Sequence, residues 1–340
     1  MPPLAFDSTQ AVTLHPLLDE DQCTAHLSGA DWPDRRGPID AEASMNNATE
    51  TPATIVAAPA NHGTAYRDIA VHLDGSPEDE FRLAHAEALI GQQSARITGV
   101  FTNPLPDPAL FAGDFGVTAI GQLVEAATEE GNTGEKRLRQ RLARLGPAHE
   151  LRRVEAFPGT LERAVASEAR WNDLFLATCP RDEDTTRWRS LIETVMFDGG
   201  RGLYLLPPKV APRSALRTVL IAWTDTRQSA RAVAEAMPLI ARATQVQIVT
   251  VAEEAHGRMG GAEILADITA HLARHGVAAT AAALSTQALV SDAILGEAER
   301  ISADLIVAGA YGHSRFREWI LGGVTEELLA NASVPLLFAH

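Results

Sequence analysis

Strand-like and helix-like hydrophobic patterns alternate along the chain from residue 66 onward. Residues 69–73 are apolar at every second position, and a turn sequence at 74–76 and a helical pattern through Ile90 follow them. Before residue 66 the chain has no sustained period of 2 or 3.6. We therefore predict that residues 1–65 are a poorly ordered N-terminal extension, or one with a short element near residues 53–59 that docks on the folded body.

The strand-turn-helix opening occurs twice. A shift of 150 residues places residues 216–240 over residues 66–90 without a gap, and a shift of 131 places Asp304-Leu305 over Asp173-Leu174. The first copy is longer in its middle, at residues 111–146. Repetition at this length predicts duplicated domains and not a short-period solenoid. Identical pairs at the opening are Arg67 with Arg217, Ala84 with Ala234, Ala86 with Ala236, Leu89 with Leu239 and Ile90 with Ile240.

Strands that alternate with helices of this size favour a parallel sheet covered on both faces. We predict an α/β protein with two tandem open-sheet domains, at residues 66–208 and 213–340, each a five-stranded parallel sheet with helices on both faces. The proline-rich segment 207–212 predicts a stiff linker. Pro335 indicates an edge position or a strand start. Predicted strands of the second copy are 218–223, 246–251, 278–284, 305–309 and 334–338.

The charge and cysteine content narrow the classes of partner. A net charge of -15 opposes the phosphate backbone of nucleic acid and an anionic membrane surface. No apolar run is long enough to span a bilayer, and Cys23 and Cys179 are the only cysteines. We predict a cytoplasmic protein that binds neither nucleic acid nor membranes.

Candidate chemistry is concentrated in a glycine array at residues 304–329. Gly309 and Gly312 follow a strand-like run, at the strand end where open α/β sheets bind ligands. Gly322 and Gly323 stand at a helix start, where free N–H groups and the helix dipole favour phosphate, and Thr325 adds a hydroxyl. The alternative is that the glycines only form a tight turn and a close helix contact.

The fixed array resembles the signature of the universal stress protein family, Gly-x2-Gly-x9-Gly followed by Ser or Thr. The resemblance covers residues 66–340 and implies the adenine-nucleotide α-hydrolase-like fold, binding of ATP phosphates and ribose, and dimerisation through the last strand. Gly323 stands where nucleotide binders of the family carry Ser or Thr. Residues 224–226, Thr-Asp-Thr, replace the usual Asp-Gly-Ser type of turn.

The first copy departs from the family pattern in the opposite way. It keeps Asp74-Gly75-Ser76, but its fourth strand runs into the acidic segment 182–184 without Gly-x2-Gly. Those carboxylates would repel an anion. We interpret the first copy as a degenerate partner that pairs with the second in an intramolecular pseudo-dimer, with a homodimer as a further assembly.

No catalytic or metal-binding residue is assigned. Residues 312–316 begin like a nucleophile elbow but place Phe316 where glycine is needed. His271 and His275 are four apart on a predicted helix, without the glutamate of a zincin helix. There is no Walker lysine beside the glycine array, so at most slow ATP hydrolysis is expected.

Three functional hypotheses follow. The first is a stress-response binding protein that holds ATP, with magnesium, on Gly309, Gly312, Gly322, Gly323 and Thr325 beside Thr224. The second is a ligand-free interaction scaffold that recruits a protein partner through exposed last-strand edges or the extension. The third is an enzyme of the wider adenine-nucleotide α-hydrolase-like group, for which the sequence offers no residue pair.

Overall fold

The computed structural model describes residues 65–91, 95–107, 117–145, 148–181, 187–253, 261–286, 288–310 and 323–340. The predicted extension, apart from residue 65, lies outside them, as do Gly312 and Gly322. All described residues belong to one compact unit. The division into domains at residues 208–213 therefore stays a prediction.

Strands and helices alternate through the described residues, as the hydrophobic pattern predicts. The strands are β1 (Asp68–Leu73), β2 (Arg96–Pro104), β3 (His149–Ala156), β4 (Leu174–Thr178), β5 (Gly202–Leu206), β6 (Thr218–Ala222), β7 (Gln245–Glu253), β8 (Ala279–Thr286), β9 (Leu305–Gly309) and β10 (Leu336–Ala339). The helices are α1 (Glu78–Ile90), α2 (Val117–Leu142), α3 (Thr160–Ala169), α4 (Arg189–Asp198), α5 (Arg227–Ile240), α6 (Gly261–Arg274), α7 (Val290–Arg300) and α8 (Gly323–Asn331). The longer middle of the first copy is confirmed, since α2 has 26 residues and α6 has 14.

All ten strands lie in one sheet, in the order β3-β2-β1-β4-β5-β10-β9-β6-β7-β8. The five strands of each half are parallel to one another, and the same order occurs in both halves. β5 and β10 pair antiparallel and join the halves, with Leu336 opposite Leu205. The predicted α/β class with parallel five-stranded sheets is confirmed.

Helices cover both faces of the sheet and bury two hydrophobic clusters. One cluster involves α1, α2, α5 and α6, and the other involves α3, α4, α7 and α8. Alternate residues of one strand serve the two clusters, as Val71 and Ala70 of β1 do. A strand that is buried on both faces reads as an apolar run, which is why the sequence located the strands well.

The prediction of exposed last-strand edges is wrong. β5 and β10 lie in the middle of the sheet and pair with each other, whereas β3 and β8 end it. Pro335 precedes β10, which agrees with a strand start and not with an edge. Each copy analysed alone leaves its last strand unpaired, and only the pairing of the two copies removes both edges. Within the described ranges, no helix combines the length and apolarity that crossing a membrane requires.

Candidate functional site

The crevice of the second half lies at the carboxyl ends of β6 and β9. These strands are parallel neighbours, with Ala222 opposite Ala308. The residues that follow, Thr224 and Gly309, therefore lie at the same edge of the sheet. The next helix, α5, begins beside them at Arg227.

Gly309 allows α5 to approach the end of β9 closely. A Cβ on Gly309 would lie 2.5 Å from the backbone nitrogen of Ser229 and 2.7 Å from the carbonyl carbon of Gln228. Real Cβ atoms essentially never come this close to backbone atoms, so a side chain would displace the first turn of α5. Packing by itself thus gives a reason for glycine at this position, as the alternative interpretation holds.

Three hydroxyl groups surround the start of α5. Thr226 is the N-cap, and its Oγ1 accepts the backbone N–H of Ser229 at 3.2 Å. The Oγ atoms of Thr224 and Ser229 are 3.0 Å apart. Small hydroxyl side chains at the positive end of a helix dipole form an environment suited to an anion.

Of the other four residues predicted for the site, the structure describes two. Gly323 is the first residue of α8, and a Cβ there would meet no atom of the described residues within 4 Å. Thr325 is buried in the same helix, with 4% of its surface exposed. Gly312 and Gly322 lie outside the described residues. The structure therefore brings Thr224 and Gly309 together around Ser229, and it leaves open space at Gly323.

The equivalent crevice of the first half contains a buried ionic cluster. The 150-residue shift places Asp74 at the position of Thr224, Asp79 at that of Ser229 and Arg82 at an alanine. Arg82 is 1% exposed, and its Nη2 donates to Asp74 Oδ1 at 2.5 Å and to Asp79 Oδ1 at 2.8 Å.

Two residues that directly precede α4 close this crevice. Trp188 Nε1–H donates to Asp74 Oδ2 at 2.7 Å, and Arg187 Nη2 donates to the same oxygen at 2.8 Å. The Trp188 ring is buried and meets the edge of His72, with ring centroids 4.8 Å apart. Burial alone would raise the pKa of Asp74, but the charge of Arg82 and the neighbouring donors hold it well below its usual range. The first-half crevice is thus filled by its own side chains, with two carboxylates balanced by two guanidinium groups.

Sequence reasoning identified the turn of residues 74–76 but missed the cluster around it. The three-residue spacing of Asp79 and Arg82 on a helix was an available signal for an ion pair. The contact of Trp188 with Asp74 depends on the tertiary fold, and no local pattern indicates it. The acidic segment 182–184, which was expected to repel anions, lies outside the described residues.

His72 gives the first half a specific dependence on pH. Its Nε2 lies 3.0 Å from Thr102 Oγ1, and burial lowers its pKa from 6.5 to about 3. The unfolded chain therefore binds a proton below pH 6.5 that the folded chain does not bind. The free energy of unfolding should fall by about 2 kcal/mol on this account between pH 7 and pH 5.

Urea unfolding of the wild type and of His72→Gln at the two pH values tests this. Burial raises the pKa of Asp79 to about 6, which stabilises the fold on acidification and acts in both proteins. The decrease in the free energy of unfolding from pH 7 to pH 5 should therefore be about 2 kcal/mol smaller in His72→Gln than in the wild type. Equal losses in the two proteins would contradict the assignment to His72.

The described residues contain no group of three or more His, Cys, Asp or Glu residues arranged to hold a metal. The predicted pair His271 and His275 does come together, with ring centroids 4.8 Å apart in an edge-on contact. Zinc sites in proteins usually have three or four protein ligands. The pair therefore remains without a metal assignment.

The fold places the protein in the structural class of open α/β sheets. Proteins of this class bind ligands in a crevice at the carboxyl ends of their parallel strands. The universal stress protein family model matches residues 215–340 of the chain. No curated protein sequence matches the chain.

Solved structures show that the fold of the first half is similar as well. A universal stress protein from Archaeoglobus fulgidus is 15% identical and covers 79% of this chain and 94% of its own, with a TM-score of 0.63. A putative universal stress protein from Pseudomonas aeruginosa is 13% identical over 82% of this chain and 94% of its own, with a TM-score of 0.51. A functionally unknown protein from the same species is 13% identical over 81% of this chain and 92% of its own, also at 0.51.

Proposed function

We propose that the protein is a stress-response module of the universal stress protein type that binds ATP, or another adenine nucleotide, in its second half alone. The observation that carries the proposal is the contrast between the two equivalent crevices. One contains the hydroxyls of Thr224, Thr226 and Ser229, whereas the other is filled by the ion-paired cluster around Asp74 and Arg82. The hydroxyls at a helix N-terminus suit a phosphate group. In the other crevice the carboxylates are already paired with Arg82 and Arg187 and occupy the space.

The room available in the two crevices also supports nucleotide binding in the second half. In the first half, the residues directly before α4 occupy the crevice. The 131-residue shift places Glu318 and Trp319 at the positions of Arg187 and Trp188, and both lie outside the described residues. At the start of α8, Gly323 has no side chain, and a Cβ there would meet no atom of the described residues nearby. Gly312, Gly322 and the hydroxyl of Thr325 in the first turn of α8 complete the proposed phosphate contacts. Magnesium would accompany the nucleotide as its phosphate-bound ion.

The first half acts as the structural partner in this proposal. Antiparallel pairing of β5 with β10 provides within one chain a contact of the kind that the resemblance implies for dimers. The proposed assembly is therefore an intramolecular pseudo-dimer with one competent crevice.

The melting temperature with and without millimolar ATP and magnesium tests the binding. Ligand at 100 times its Kd stabilises the folded state by about 2.7 kcal/mol, which corresponds to a rise of several degrees. Gly323→Val should abolish the rise without unfolding the protein, because a Cβ there meets no atom of the described residues within 4 Å. Gly296→Val is the matched control, since Gly296 is an exposed glycine of α7 that also has open space around it.

A rise that is lost in Gly323→Val and retained in Gly296→Val would support the nucleotide site. The absence of a rise in a well-folded wild type would favour the ligand-free scaffold. With the last strands paired inside the chain, such a scaffold would act through the extension or the outer strands.

A further inference from the structure

A cavity of about 340 Å³ lies between the two halves, beside the linker. This volume is within the range of about 300–1,000 Å³ that is usual for small-molecule pockets. The apolar part of its wall comes from α1, the linker and the segments that precede β6 and β10. Its principal apolar residues are Leu89, Pro207, Pro208, Val210, Leu216 and Val334.

Tyr204 brings a hydroxyl group to the wall of the cavity. The residue as a whole is 1% exposed, and its hydroxyl makes no hydrogen bond to any residue of the described ranges. Burial, followed by the charge of Asp304, raises its pKa, so the hydroxyl keeps its proton. The cavity therefore provides a place for a hydrogen-bond acceptor.

The charged groups of the cavity wall favour an anion. Lys209 has a φ of 65°, an unusual conformation for a residue other than glycine, and forms no ion pair within the described part of the chain. Asp304 contributes a carboxylate to the cavity wall, and both of its oxygens already have partners within the protein. Its Oδ1 pairs with Arg213, and its Oδ2 accepts the backbone N–H groups of Arg217 at 2.7 Å and Thr218 at 3.0 Å.

The cavity results from a difference between the two copies. On the other side of the β5–β10 junction, the repeat places Tyr66 at the position of Leu216 and Glu235 at that of His85. There the Tyr66 hydroxyl donates to the Glu235 carbonyl at 2.8 Å, and Gly202 N–H donates to the Glu235 carboxylate at 3.1 Å. These contacts occupy the equivalent space. Leucine at position 216 has no hydroxyl and is too short to make the same contact.

We infer that this cavity binds a small organic anion with an apolar body. The anionic group accepts the hydrogen bond of Tyr204 and pairs with Lys209, and the apolar body lies against Leu89 and Leu216. The cavity is separate from the proposed nucleotide site. Its residues Leu216 and Asp304 precede β6 and β9, whereas the nucleotide crevice is at the opposite ends of these strands.

Calorimetric titration of the full chain with octanoate tests the inference, with 1-octanol as the uncharged probe of the same length. Octanoate should bind with a sub-millimolar Kd, and octanol at least about tenfold more weakly. Tyr204→Phe and Lys209→Gln should each raise the octanoate Kd about tenfold. Leu216→Tyr, which introduces the side chain that fills the equivalent space, should abolish binding. Lys136→Gln, on the exposed face of α2, is the matched control and should leave the Kd unchanged.

The inference is overturned if folded wild-type protein does not bind octanoate, or if octanol binds equally well. Equal octanoate affinity in wild type, Tyr204→Phe and Lys209→Gln would also overturn it, and these two variants decide the matter if Leu216→Tyr fails to fold. Saturating ATP should leave the octanoate Kd unchanged. Competition between ATP and octanoate would contradict a separate site, whereas failure of ATP to bind would leave this inference intact.

Discussion

Asp74→Ala should lower the free energy of unfolding by about 3 kcal/mol, because removing one partner of a buried ion pair leaves the other charge unpaired. The Asp74 side chain is 3% exposed and accepts hydrogen bonds from Ser76, Arg82, Arg187 and Trp188. Asp79 would still pair with Arg82 at 2.8 Å, which places the loss at the lower end of the usual range of about 3–5 kcal/mol.

Urea unfolding measures this loss, with Arg139→Ala as the control. Arg139 pairs with Glu135 on α2, but its side chain is 60% exposed, and an exposed pair contributes at most about 0.5 kcal/mol. Similar small losses in the two variants would show that the cluster is not the stabilising closure of the first-half crevice.

Gly309→Ala should lower the free energy of unfolding by about 1–3 kcal/mol, the usual effect of inserting atoms into a well-packed core. The added Cβ would lie 2.5 Å from the backbone nitrogen of Ser229, and backbone atoms cannot move aside as the end of a flexible side chain can. The first turn of α5 would have to shift away from β9.

The matched control is Gly323→Ala, where the added Cβ meets nothing within 4 Å. Its free energy of unfolding should change by only a few tenths of a kcal/mol. Chemical denaturation of both variants makes the comparison, and a neutral Gly309→Ala would contradict the packing role of this glycine. If the role holds, loss of ATP binding in a Gly309 variant would not identify a ligand contact, which is why Gly323 carries the binding test.

The sequence was sufficient to predict the strands of the second half and the opening strand of the first, because strands buried on both faces appear as apolar runs between turn signals. β9 has the predicted bounds, whereas β10 begins two residues later than predicted, after Pro335. The joining of the halves could not be predicted in this way. The pairing of Leu336 with Leu205 links residues far apart in the chain, and a hydrophobic pattern records only what each segment buries.

The candidate site could likewise be predicted only in part. The position of Thr224 beside Gly309 follows from the parallel order of β6 and β9. The closing of the other crevice does not, because Trp188 is 114 residues from the carboxylate that it contacts. A turn sequence of the expected type at residues 74–76 thus coincides with a crevice that is already filled.

The number of nucleotides bound per chain tests most directly whether one crevice is open and the other closed. Calorimetric titration of the full chain with ATP and magnesium gives this number, and the Gly323→Val variant assigns it to the second half. We expect one ATP per wild-type chain and none in the variant. Two ATP per chain, or one that persists in a folded Gly323→Val protein, would contradict the account.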